Sequence, residues 1–223
     1  MNTLKSKWII LSKRLNLEDT ISNKWYTVLE QYYKPTFSRS YHNANHIDEL
    51  LGFFDQYQDR LKTPDACLMA IWFHDVIYDA TKSDNEDKSV EMFKEFALET
   101  KLESKMSDLV SEMIDATKHH TKVQSGINID QDYFLDFDLS VLGRAPKEYT
   151  EYSYNIRREY IHVPEDQYRS GRIAVLKRFI SSGRYMYKTK EFQDRFTDNA
   201  INNLNQEIDR LSQPLIPLLP EST

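Results

Sequence analysis

Two short stretches of this chain carry side chains that can bind metal ions or move protons. In Arg39-Ser40-Tyr41-His42-Asn43-Ala44-Asn45-His46-Ile47 two imidazoles stand four residues apart, a spacing at which a helix aims both the same way. In Trp72-Phe73-His74-Asp75 an imidazole and a carboxylate close the apolar run Ala66–Phe73, where charge is costly unless it is paired or metal-bound. Asp138 lies four after Phe134 and three before Val141, so a helix would set it on an apolar face and leave Asp136 to the side. His46, His74, Asp75 and Asp138 thus make a donor set of imidazoles and carboxylates. Such a set suits one or two divalent ions (Zn, Mn, Fe, Co, Ni or Mg) and is unlike a soft thiolate site.

These residues need helices to hold them. Apolar residues recur at three and four from about Leu4 to Leu15 and from about Thr20 to Tyr33, predicting two packing helices. Pro35 ends the second, and Ser38 or Ser40 can cap a third that carries His42 and His46 in its first turns and runs on through Tyr57. Thr63 or Asp65 caps the next, with Pro64 at its first position; being apolar on every side, it must be central. Ser83 and Glu86 fit a capping box. A helix from about Glu103 shows Met106, Val110, Met113 and Thr117 on one face, and extending that face reaches His120 and not His119. Further helices follow from near Asp130 to Gly143, over 146–160, over 165–182 and from about Thr189 to Leu211. The expectation is an all-α protein of roughly nine to ten helices: one domain over 1–213, then an apolar, Pro-rich tail at 214–223 that packs on a groove or hangs loose.

With only 5 Gly and 7 Pro, a chain of many short strands and turns is disfavoured. The single Cys67 excludes an internal disulfide framework and suits a reducing compartment. With no signal-like N-terminus and no apolar run of spanning length, a cytoplasmic protein away from the membrane is expected. The net charge of −6 is uneven: residues 144–190 are basic within an otherwise acidic chain. That pattern suits a small anionic ligand better than a nucleic-acid backbone, although a solvated helix face has the same look.

The order His46, His74-Asp75, Asp138 resembles the HD-domain superfamily of metal-dependent phosphohydrolases. Tyr41-His42-Asn43-x-x-His46 and Asp138-Leu139-Ser140 are also similar to segments of cyclic nucleotide phosphodiesterases. Trp72-Phe73-His74-Asp75-x-x-Tyr78, Asp84-Asn85-Glu86, Asp136-x-Asp138-Leu139-Ser140-x-Leu142-Gly143, Ile156-Arg157-Arg158-Glu159-Tyr160 and Gly171-Arg172 extend the likeness over nearly the whole chain. They resemble a bacterial family of predicted metal-dependent HD phosphohydrolases.

The resemblance implies that His46, His74, Asp75 and Asp138 bind the first metal, with Asp75 bridging to a second. It implies that His42 donates a proton to the leaving group, and that His120 is a second-metal ligand or a phosphate contact. Glu86 is a candidate base, unless the capping box is its whole role. Arg157, Arg158 and Arg172 could hold a phosphate or form salt bridges to the acidic half, while Tyr78 and Tyr41 are set to line a pocket beside the ligands. The implied activity is hydrolysis of a phosphomonoester or phosphodiester of a nucleotide or other small phosphorylated metabolite. A non-catalytic nucleotide-sensing domain and an HD-type di-iron oxygenase use the same ligand set. The apolar tail and aromatic N-terminal helices leave room for a homodimer.

Overall fold

The segment Pro64–Phe73 decides the architecture. Ala66 through Phe73 are all buried, so this helix has no face for water and must be surrounded. In the computed structural model, which describes residues 3–214, it is α4. It follows α1 (Thr3–Arg14), α2 (Asp19–Tyr32) and α3 (Ala44–Tyr57) and precedes α5 (Asn85–Glu99), α6 (Ser104–Ala116) and α7 (Ile129–Leu139). Helices α1, α3, α5, α6 and α7 all pack on it. The chain closes with α8 (Pro146–Glu159), α9 (Glu165–Ser181) and α10 (Lys190–Ser212), and among the described residues there is no strand. No helix among them is long and apolar enough to cross a membrane.

Aromatic packing fixes the N-terminal half. Trp8 meets Trp72 edge to face at 5.5 Å and Phe96 at 6.0 Å, while Trp25 lies 5.3 Å from Phe96 and 6.0 Å from Phe73, the offset geometries that aromatic quadrupoles favour. Buried charge fixes the C-terminal half. Glu207 on α10 accepts from Arg172 of α9 at 3.0 and 3.2 Å and from the Tyr149 hydroxyl of α8.

After α7 a single 3-10 turn, Ser140–Gly143, runs against α10. Asn203 donates to the Leu142 and Arg144 carbonyls at 2.9 Å. A Cβ on Gly143 would stand 2.6 Å from the Phe196 Cβ and carbonyl oxygen. Gly143→Ala is therefore expected to lower stability by about 2 kcal/mol through this overlap, read as a shift of the urea midpoint at constant slope.

Three local expectations are corrected. Helix α3 starts at Ala44 and not near Ser40, because the Asn43 side chain accepts from the Asn45 N–H at 2.9 Å and caps it. His42 consequently sits in the loop before α3. The capping box of Ser83 and Glu86 does not form: Asp84 is the cap residue, with no side-chain bond, and Asn85 instead bridges the Asp79 N–H and carbonyl at 3.0 Å. Asp136 does not fall to the side but is buried, accepting from Lys188 N, Thr189 N and Thr189 Oγ1 at 2.6–2.8 Å. Burial outweighs those donors and raises its carboxyl to about 7. From residue 215 onward the expected tail lies outside the described residues.

Candidate metal centre

Three helices deliver the four donors. His46 comes from the first turn of α3, His74 caps the C-terminus of α4 with Asp75 next to it, and Asp138 stands in the last turn of α7. His46 and His74 are each 1% exposed. Their Nε2 atoms lie 3.2 Å apart. His46 Nε2 is 3.1 Å from Asp138 Oδ1 and 3.6 Å from Asp75 Oδ2, while His74 Nε2 is 3.0 Å from Asp75 Oδ2 and 3.7 Å from Asp138 Oδ1. Ligands held about 2.0–2.2 Å from one ion stand about 3–3.5 Å from their neighbours; His46, His74 and Asp75 form a group that could share one ion, and Asp138 stands at its edge, 3.1 Å from His46.

Tautomers make the same point. His74 Nδ1 faces the Ile71 carbonyl at 3.1 Å, which accepts only, so Nδ1 carries the proton of the neutral ring. The Nε2 lone pair then points into a cluster whose other members are a second imidazole and two carboxylates. Lone pairs crowded this way require a cation, either a proton or a metal ion. Burial opposes the imidazolium, but the Asp75 carboxylate overrides it and lifts His74 to about 9. Against the same burial, His74, His42 and His46 hold Asp75 below the ordinary carboxylate range, and bonds from His120 and His46 hold Asp138 well below it. The residues present fit a divalent ion.

The centre forms part of the wall of a cavity of about 580 Å³ that also exposes His42, Tyr78, Glu86, His120 and Arg172. His120 Nε2 bonds the outer oxygen of Asp138, Oδ2, at 2.9 Å, so it is joined to the first site through that carboxylate. His119 is exposed, as its position off the apolar face predicts. His42 lies beside the centre, its ring 5.9 Å from that of His46. Lys82, Lys118, Lys122 and Arg178 also line the cavity, Lys118 being engaged by Asp87 and Asp115.

Not every candidate comes together. Arg157 lies outside the cavity lining, bonded to Glu165 and to the Tyr160 and Val163 carbonyls, with its guanidinium over Tyr168. Arg158 is exposed and bonds Asn155. Arg172 reaches the cavity wall, but one edge of it is taken by Glu207.

Two residues that organise the site were not singled out by the sequence reading. Glu159, at the C-terminus of α8 and 2% exposed, accepts from His42 Nδ1 at 2.7 Å, from the Tyr41 and His42 N–H groups at 2.7 and 3.0 Å, and from the Tyr78 hydroxyl at 2.8 Å. Tyr78 in turn stacks on the His42 ring at 4.2 Å. Burial would raise the Glu159 carboxyl, but these donors keep it lowered. For His42, burial is outweighed by the Asp75 charge and by Glu159, so its pKa is raised.

The second is Arg39, 6% exposed, whose guanidinium donates to the carbonyls of His42 and Asp75 and, at 3.2 Å, of Val76. One cation thus ties the loop before α3 to the segment after α4. Arg39→Met is expected to cost about 3 kcal/mol, since hydrogen bonds to charged groups contribute about 1.5–3 kcal/mol each and some are replaced by water. Chemical denaturation of the chelator-treated protein measures it.

No family model matches the chain, and neither the curated proteins nor the solved structures contain a match to it.

Proposed function

We propose that this chain is a metal-dependent phosphohydrolase of the HD type, acting on a phosphoester of a nucleotide or another small phosphorylated metabolite. The observation that carries the reading is the convergence of His46, His74, Asp75 and Asp138, whose two carboxylates line a cavity with a carboxylate-oriented imidazole, His42, beside them. His46, His74, Asp75 and Asp138 would hold the ion. A bound divalent ion supplies Lewis acidity, drawing charge from phosphoryl oxygens and lowering the pKa of a coordinated water from 15.7 toward about 7.

The protein's own groups account for the rest. Lys82, Lys122 and Arg178 give the cavity a positive rim that attracts an anionic ester. Glu159 accepts the Nδ1 proton of His42, which orients the ring and favours its charged form, leaving Nε2 to deliver a proton to the departing oxygen. Tyr78 covers the ring face and limits its rotation. Glu86 lines the same cavity, within reach of the role of base or of outer support to the ligands. The single buried Cys67 supports a reducing, cytoplasmic setting.

The test is hydrolysis of a panel of phosphoesters and nucleotides by metal-stripped protein reconstituted in turn with Mn, Co, Ni, Zn, Mg and Fe. Metal-dependent turnover that disappears in an Asp75→Ala control is expected. Silence across the panel with metal bound would sink the reading, in favour of a nucleotide sensor or, for a coloured protein carrying two irons, an oxygenase.

A further inference from the structure

Beyond the candidate metal centre lies a second space. A cleft of about 380 Å³ is lined by Ile156, Tyr160, Val163, Gln167, Tyr168, Gly171, Arg172 and Val175. Ile156, Tyr160, Arg172 and Val175 line the metal cavity as well, so the two spaces share a wall. The cleft differs in chemistry: apart from Arg172, which Glu207 engages, it has no charged side chain, and the rings of Tyr160 and Tyr168 stand 6.3 Å apart along it.

Gly171 is the telling residue. It occupies the interior of α9, where glycine destabilises a helix relative to alanine, and its φ is not positive. A Cβ built there meets nothing within 4 Å. Neither backbone conformation nor close packing calls for glycine at this position. Gly171 is exposed and lines the cleft with Val175, one helical turn along, so a side chain added there has room to enter it.

We propose that this cleft between the end of α8 and α9 is the leaving-group subsite of the phosphohydrolase, taking the flat aromatic or heteroaromatic half of the substrate, with Gly171 as its specificity determinant. The inference rests on the phosphohydrolase reading for the other half of the molecule. An ester held at His42 and the metal ligands extends across Ile156 and Arg172 into the cleft, where the half-buried Tyr160 ring offers a π-face for stacking. Gln167 at the rim, with an amide that both donates and accepts, faces a polar ring edge of the kind that heterocycles carry and alkyl chains lack.

The experiment compares adenosine 5′-monophosphate with ribose 5-phosphate, which lacks the ring, in the metal-loaded full chain and in Gly171→Leu. The wild type is expected to prefer the ring-bearing ester. Leucine is expected to reduce the ratio of the two kcat/KM values by about tenfold, the scale of one lost stacking contact, through KM for the ring-bearing ester. A second readout needs no turnover: saturation-transfer NMR of adenosine with the metal-free protein is expected to show ring-proton contacts that Gly171→Leu removes. Val163→Glu, at a residue that lines the cleft from the loop between α8 and α9, serves if leucine unfolds α9. An unchanged ratio in a folded variant, or adenosine contacts that survive both substitutions, overturns the proposal. If no phosphoester is turned over at all, the phosphohydrolase reading falls and the adenosine experiment alone decides the cleft.

Discussion

An Asp75→Ala protein is expected to fold, to lose its metal, and to hydrolyse no phosphoester above background. Asp75 Oδ2 approaches both imidazoles, at 3.0 and 3.6 Å, so its removal opens the coordination sphere on the side shared by His46 and His74. The segment itself stays in place, because Arg39 grips the Asp75 carbonyl and not its side chain. A metal contributes several kcal/mol to stabilising charge in a phosphoryl transition state, so its loss amounts to at least about a thousandfold in rate. Metal analysis of the purified variant, with turnover assays, checks both statements; full metal occupancy would remove Asp75 from the ligand set.

The same substitution has a signature without metal. In the chelated wild type His74 titrates near 9, above its ordinary value of 6.5. A proton bound more tightly by the folded state stabilises it, fully so below about pH 6.5, and that contribution is lost as pH rises through about 9. Urea midpoints of the chelated wild type are therefore expected to decline across this window. In Asp75→Ala, without the carboxylate that lifts His74, the decline should be smaller and should occur at lower pH.

Glu159→Gln is expected to slow turnover at neutral pH by about ten- to a hundredfold, the usual effect of removing a residue that orients a working group. Glutamine can still accept from the Tyr41 and His42 N–H groups, but it carries no charge to favour the His42 imidazolium. If His42 must be protonated to act, activity falls as pH rises through its pKa, and lowering that pKa moves the alkaline limb of the pH–rate profile to lower pH. A Gln variant with the wild-type limb would show that Glu159 does not tune His42. Glu159→Ala serves the question poorly, since removing a buried charged partner costs about 3–5 kcal/mol and unfolds marginal proteins.

Periodicity exposed the helices because each buries one face, and it exposed Asp138 because a carboxylate interrupted such a face. The same logic reaches Glu159, three after Ile156 on the face that buries Tyr149, Ser153 and Ile156. The adjacent Arg157 and Arg158 drew that stretch into a charge reading instead. Both arginines proved to serve their neighbourhood, Arg157 by closing the loop after α8 and Arg158 at the surface. Arg39 could not be found this way: it sits in a loop, where no period applies, and its partners are backbone carbonyls that a sequence does not display. His42 was assigned to a helix because Ser40 is a good cap, but Asn43 is an equally good one three residues later, and the chain uses it. Asp136 shows the reverse error, since its face is filled by the Lys188–Thr189 turn rather than by side chains.

The three tryptophans of the sequence share one aromatic cluster, and Trp72 stands two residues before the candidate ligand His74. Any light the protein emits under tryptophan excitation therefore comes from the region where α1, α2, α4 and α5 meet. Helices α8 and α9, which frame the cleft, carry tyrosines but no tryptophan. Fluorescence would follow the loosening of the half that carries the candidate metal centre and stay blind to the other, unless an indole were installed there as a second lamp.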